Sequence, residues 1–135
     1  MPSDSPDDCM ALQDLKKKPD YYKIDPAWVA TYEPVPIIRT SAYGDLAAPA
    51  ICKEKKIQSQ KDRVALAEAK DVAYKEGFYN GTMIVGDFAN MPVQEAKPKI
   101  REQLVAQGDA FVYNEPESLI MSRSGDECIV NLCDQ

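Results

Sequence analysis

Three stretches of this chain bring together side chains able to do chemistry. In residues 2–8, Asp4, Asp7 and Asp8 stand among Ser3, Ser5 and Pro6. A carboxylate projecting from a helix start can hold an ammonium group through a charge-assisted hydrogen bond. It also suits the positive end of the helix dipole with no ligand at all. Three acids without a wider set of oxygen donors are too few to assign magnesium or calcium. The second stretch, Met121-Ser122-Arg123-Ser124-Gly125-Asp126-Glu127, reads as a turn leading into a buried strand. The third holds Tyr21, Tyr22, Trp28 and Tyr32 beside Lys16, Lys17 and Lys18. Rings interleaved with lysines can stack nucleobases, but the prolines and apolar neighbours here favour packing against the body of the domain.

What is missing narrows the chemistry further. The chain has no histidine, which removes Ser-His-Asp and Cys-His catalysis, His-ligated zinc and imidazole acid–base steps. Cysteines stand at Cys9, Cys52, Cys128 and Cys133 with no C-x-x-C pair, so they read as reduced, mostly buried thiols rather than a metal set. Any reaction must run on carboxylates, hydroxyls, lysines, backbone amides or the substrate itself.

The elements that position these groups follow from caps and periodicity. Ser5-Pro6-Asp7-Asp8 has the form of a capped helix start, with Pro at the first position and an acid at N3 able to reach back. The helix should run from Pro6 to Lys18 and stop at Pro19, its terminal lysines complementing the dipole. Residues 19–34 read as an irregular loop pinned by its aromatic side chains. Val35–Ile38 reads as a short strand, and residues 46–55 as a short helix. Ser59-Gln60-Lys61-Asp62 is a second helix start, with Val64, Ala65, Leu66, Ala69, Val72 and Ala73 as the apolar side and Gly77 as the stop. After the Asn80-Gly81 turn, residues 82–85 read as a strand. A helix over 92–107 follows from the shared face of Val93, Ala96, Ile100 and Leu104, with Pro98 marking a kink or the true start. Ala110–Tyr113 and Glu127–Cys133 read as closing strands. The fold class is therefore mixed α/β, about three main helices packed on short strands.

With 135 residues, 44% hydrophobic and 28% charged, the chain has room for one domain or a piece of a larger one. No apolar run is long enough for a membrane span, and no signal peptide opens it, so a cytosolic location is the expectation. The net charge of −6 argues against a dedicated nucleic-acid binder. It is unevenly spread: residues 16–75 carry twelve bases against eight acids, and residues 76–135 four against ten. The chain starts abruptly at a helix and stops at a strand, as a segment of a larger fold would.

The stretches PSDSPDD, LKKK, KIQSQKDRVALAEAK, YKEGFYNGTMIVGDF and NEPESLIMSRSGDECIV closely resemble, in collinear order, the eukaryotic cytosolic leucyl-tRNA synthetases. MSRS is only superficially like the KMSKS loop of the same enzyme class, because Ile120 and Arg123 stand where that loop has lysines. The resemblance implies the later part of the inserted editing domain over residues 1–90, and a helix and strands returning toward the catalytic domain over residues 91–135. It implies leucine–tRNA ligation with ATP and magnesium in the whole enzyme, with no cofactor assigned to this segment. It also implies hydrolysis of tRNA misacylated with norvaline, isoleucine or similar amino acids, since one methylene gives an apolar pocket only about 1–3 kcal/mol of discrimination. By motif, Asp8 is the aspartate that binds the α-ammonium of the misacylated amino acid, with Ser5 and Asp4 beside it. The implied partner is leucine-specific tRNA. The threonine-rich editing segment and the HIGH and true KMSKS signatures are absent, so the isolated chain is expected to be inactive. A non-catalytic tRNA- or protein-binding module derived from the synthetase is the alternative.

Overall fold

The computed structural model describes residues 1–113 and 118–128. It forms two compact units, Met1–Ile100 and Arg101–Gln135. In the first, α1 (Pro6–Lys17) is followed by two single-turn helices, α2 (Pro19–Tyr22) and α3 (Ala27–Ala30). Strand β1 (Ile38–Arg39), α4 (Ala47–Glu54), α5 (Arg63–Tyr79) and β2 (Thr82–Met83) come next. Helix α6 (Val93–Gln107) crosses the boundary between the units, which lies after Ile100.

The core lies where α1, α4 and α5 pack on one another. Met10, Ile51, Cys52 and Leu66 fill it, and Ala47, Ala69 and Ala73 let the helix backbones approach. That close packing explains why an alanine-rich α5 suits this place: small side chains remove little volume but permit dense contact. The apolar side expected for α5 is largely realised. Val64 is the exception, left 78% exposed.

Helix α5 also departs from expectation at both ends. It starts at Arg63, because Ser59 and Asp62 serve the preceding loop. Asp62 Oδ2 accepts from the amides of Gln58 (2.9 Å) and Ser59 (3.3 Å). Gly77 does not stop the helix. It is buried inside it, and the chain turns only after Tyr79. The glycine that the turn requires is Gly81: a Cβ there would strike the Gly77 carbonyl oxygen and approach Ile38 Cγ2 to 2.7 Å.

Strands β1 and β2 pair antiparallel, with Ile38 opposite Met83 and Arg39 opposite Thr82. Both are shorter than expected, and β1 is also shifted: its pairing begins only at Ile38, after the Pro34 and Pro36 that donate no amide hydrogen. Residues 19–34 are not an irregular loop throughout, since they fold into α2 and α3. Their rings are not turned inward either: Tyr21, Trp28 and Tyr32 are exposed.

In the second unit, α6 ends at Gly108, whose φ of +78° is the left-handed conformation favoured by glycine. Pro98 lies within α6 and does not mark its start. The expected strand over Ala110–Tyr113 is not formed: these residues take no strand conformation, and they are exposed. Strands β3 (Ile120–Met121) and β4 (Glu127–Cys128) form a hairpin, Ile120 opposite Cys128 and Met121 opposite Glu127. Glu127 and Cys128 are exposed, so the described start of that strand is not buried as expected. The rest of the expected strand, Cys133 included, lies outside the described residues.

Candidate functional site

Chain direction into α1 is set before the helix begins. The amides of Asp4 and Ser5 both donate to the Met1 carbonyl (3.2 and 2.8 Å). Ser3 is buried, and its carbonyl accepts the Ala48 amide at 2.9 Å, which ties this lead to the start of α4. Ser5 then caps α1, its hydroxyl accepting the Asp8 amide at 3.4 Å, with Pro6 at the first helical position. The reciprocal arm of a capping box is not formed, because the Ser5 amide is already bound to Met1 O. The Asp8 carboxylate is therefore released from any capping duty.

The three acids that the sequence groups together have three different fates. Asp4 Oδ2 accepts the Ser3 hydroxyl at 2.6 Å, and partial burial raises its pKa against the lowering effects of that hydrogen bond and of the N-terminal ammonium. Asp7 turns toward α5 and pairs with Lys70 Nζ at 3.4 Å. Asp8, its side chain 54% exposed, holds the α-ammonium of Met1 through Oδ2. These carboxylates do not converge on a common point, so they do not suit a resident metal ion. Among the described residues no group of three or more Asp, Glu, Cys or His offers one elsewhere.

Beside this helix start lies a cavity of about 540 Å³, within the size range of small-molecule sites. Met1, Asp4 and Ser5 line one side of it, and Ile38, Phe78, Tyr79 and Val93 give it apolar walls. Met1 thus borders the cavity while its ammonium reaches Asp8. The structure places Asp4 and Ser5 at the cavity, whereas Asp8 is not one of its lining residues. The cavity itself was not legible in the sequence, because its walls come from the lead into α1, β1, α5 and α6, as far apart as Met1 and Lys97.

Farther along α1, Asp14 is a buried carboxylate with a structural task. Its Oδ2 accepts the Ser59 hydroxyl at 2.6 Å and the Gln60 amide at 3.0 Å, fixing the loop before α5. Burial alone would raise its pKa, but these two hydrogen bonds and the charges of Lys18 and Lys17 outweigh it and hold the group below its ordinary value. Nothing in the sequence distinguished Asp14, which lies 46 residues from its amide partner.

The thiols follow the reading of reduced cysteines where they are described. Cys9 and Cys52 are free and buried, and Cys128 is free but exposed. Hydrogen bonding with Cys9, together with burial, raises the Cys52 thiol; the same hydrogen bond lowers that of Cys9 against the opposing effect of burial. In the second unit, the Ser122–Asp126 turn is closed on itself. Ser122 N donates to Asp126 O at 2.8 Å, and Ser124 Oγ donates to Asp126 Oδ2 at 2.5 Å. Its polar groups satisfy one another, as expected of a structural turn.

Over all 135 residues the chain is 57% identical to the cytoplasmic leucine–tRNA ligase of Saccharomyces cerevisiae and covers 12% of that protein. It is 51% identical over 138 aligned positions to the cytoplasmic leucine–tRNA ligase of Arabidopsis thaliana, covering 13% of it. The chain thus spans only a small part of the curated relatives it matches. No family model matches it. In fold it is similar to the crystal structure of GlLeuRS-CP1, with a TM-score of 0.78 and 35% identity over 88% of this chain and 47% of that one. The editing domain of the P. knowlesi cytosolic leucyl-tRNA synthetase gives a TM-score of 0.76 at 26% identity, over 84% of this chain and 38% of that one.

Proposed function

Since the chain corresponds along its whole length to one segment of the cytoplasmic leucyl-tRNA synthetases, and has the fold of part of their editing domain, we propose that it forms one wall of the site that hydrolyses misacylated tRNA. Asp8 binds the α-ammonium of the wrongly attached amino acid. The observation that carries this reading is the half-exposed first-turn carboxylate of Asp8, free of capping duty because the capping hydroxyl comes from Ser5. Asp4 and Ser5, which line the adjoining cavity, are secondary substrate contacts.

The role is positioning. An ammonium clamped by a carboxylate fixes the ester carbonyl relative to an attacking water, and such fixation accounts for much of the rate of an otherwise bimolecular step. No histidine is needed from this segment, because Asp8 anchors substrate and moves no proton. The groups that orient the water belong to the rest of the enzyme, and the isolated chain is expected neither to edit nor to aminoacylate. Residues 1–90 form the later part of the editing domain, and residues 91–135 lead back toward the catalytic domain. The whole protein is proposed to be a cytoplasmic leucine–tRNA ligase acting on leucine-specific tRNA with ATP and magnesium. No residue of this chain is assigned to either cofactor, since the acids near α1 do not converge. A stand-alone binding module has less support, because the similar solved structures are editing domains.

The test is deacylation of norvalyl-tRNA by the full-length enzyme carrying Asp8→Ala. Loss of deacylation with leucylation retained is expected; undiminished deacylation would remove Asp8 from the mechanism.

A further inference from the structure

Cys9 and Cys52 are nucleophiles that the editing reading does not use. Cys9 follows Asp8 directly in α1, and Cys52 lies on α4. They are 2% and 3% exposed, and burial of this kind only deepens when more protein surrounds it. A buried free cysteine is often no more than a small apolar side chain. What distinguishes these two is that they meet. Helices α1 and α4 pack on one another through Met10, Ile51 and Cys52, and the two thiols are hydrogen-bonded across that contact. Both are free.

The pair is not symmetric. Cys9 Sγ accepts from Gln13 Nε2 at 3.6 Å as well as from Cys52. Two donors aimed at one sulfur favour its thiolate, while the charge of Asp7 disfavours a thiolate at Cys52. One sulfur is thus prepared to attack and the other stays protonated beside it, the arrangement of an attacking and a resolving thiol. Cys52 and Gln13 both line a cavity of about 310 Å³ that Lys17, Lys53 and Lys56 also border. An oxidant little larger than water reaches the pair from there, and the three ammonium groups offset the charge of a thiolate.

We propose that Cys9 and Cys52 form a peroxide-sensitive redox site whose disulfide ties α1 to α4. The Cys9 sulfur attacks one oxygen of hydrogen peroxide and the O–O bond breaks. Cys9 becomes a sulfenic acid, and the proton of its thiol leaves with the departing hydroxide as water. The Cys52 sulfur then attacks the Cys9 sulfur, the S–O bond breaks, and a second water leaves with the Cys52 proton. Two thiols are oxidised to one disulfide, and one peroxide is reduced to two waters. The new bond is much shorter than the hydrogen bond it replaces, so it draws the start of α1 toward α4. Asp8 moves with its neighbour, and a misplacement of about 1 Å costs a positioned reaction about a hundredfold. The redox site stands on the thiols alone; only its effect on editing rests on the reading of Asp8.

The full-length enzyme, treated with hydrogen peroxide and digested without reductant, is expected to yield the Cys9 and Cys52 peptides joined by a bond that dithiothreitol cleaves. Cys52→Ser should leave Cys9 as a sulfenic acid that dimedone traps, whereas in Cys9→Ser dimedone should not label Cys52. Circular dichroism matching the parent would show that both variants remain folded, and the parent's cross-link needs no variant. Linked enzyme should deacylate norvalyl-tRNA about tenfold more slowly or worse, with leucylation retained and the loss reversed by dithiothreitol. Peroxide treatment of the folded parent without a Cys9–Cys52 link, or dimedone labelling of Cys52 in place of Cys9, overturns the redox site. Linked enzyme that edits at the reduced rate overturns the coupling to editing. The role of Asp8 is judged separately by Asp8→Ala, which should form the link as the parent does.

Discussion

Asp8 and Asp14 are the same residue type on the same helix, six positions apart, and they do opposite work. Asp14 is 2% exposed and spends its carboxylate on Ser59 and Gln60. Asp8 stands in the first turn, relieved of capping by Ser5 and of cross-helix pairing by Asp7, which takes Lys70. A buried charge is retained only where hydrogen bonds satisfy it. An exposed one with an uncommitted oxygen remains available to a ligand. The carboxylate satisfied from within the core builds the fold, and the exposed one keeps an oxygen for a ligand.

This contrast can be broken most directly at Asp8. In the full-length enzyme, Asp8→Ala should slow norvalyl-tRNA deacylation by about a hundredfold, the scale of lost positioning or oriented electrostatics. Its stability should change by less than about 1 kcal/mol, the worth of a first-turn acid. Asp14→Ala should do the reverse. Chemical denaturation of the chain is expected to show a loss of roughly 2–4 kcal/mol, because two donors to a charged acceptor lose their partner. An Asp14→Ala chain as stable as the parent would erase the distinction.

Acid should separate Asp14 from Asp4. The pKa of Asp14 is lowered in the folded state, so its contribution is complete above the ordinary value near 3.8 and is lost as pH falls through the lower folded value. Asp4, raised by burial, works the other way: its contribution is present below 3.8 and fades as pH rises through its folded value. Acid unfolding of Asp14→Asn should therefore show a shallower pH dependence below about pH 4 than the parent. Ser5→Ala should cost about 1 kcal/mol through the lost cap, measurable as a lower melting temperature. Asp7→Ala should matter least, under about 0.5 kcal/mol, because its pair with Lys70 is nearly half exposed on both sides.

Much of the main helical framework was legible in the sequence. The Ser5 cap, the Pro6 start, the break before Pro19 and the apolar face of α5 are local matters of capping and periodicity, decided within a turn or two. The errors came where long-range packing overruled a local signal. Gly77 looked like a helix stop, but the close approach of Gly81 to Ile38 and Gly77 places the turn later. Ser59 looked like a cap, but its hydroxyl is drawn to Asp14. The rings of residues 21–32 looked like anchors, yet they face solvent, because the prolines between them build short helices instead of folding them inward. At the candidate site, motif resemblance singled out Asp8, while the cavity beside it was invisible.

The sequence by itself determined that this chain supplies no histidine, that a serine-capped helix presents acids in its first turn, and that the chain matches leucyl-tRNA synthetases from end to end. These follow from residue types and short spacings, which no tertiary contact can alter. Only the tertiary structure decided which acid the other helices leave unengaged. That choice depends on partners supplied from far along the chain: Lys70 for Asp7, Ser59 and Gln60 for Asp14. A carboxylate's availability is the balance of hydrogen bonds and burial around it, and that balance exists only once the helices have packed.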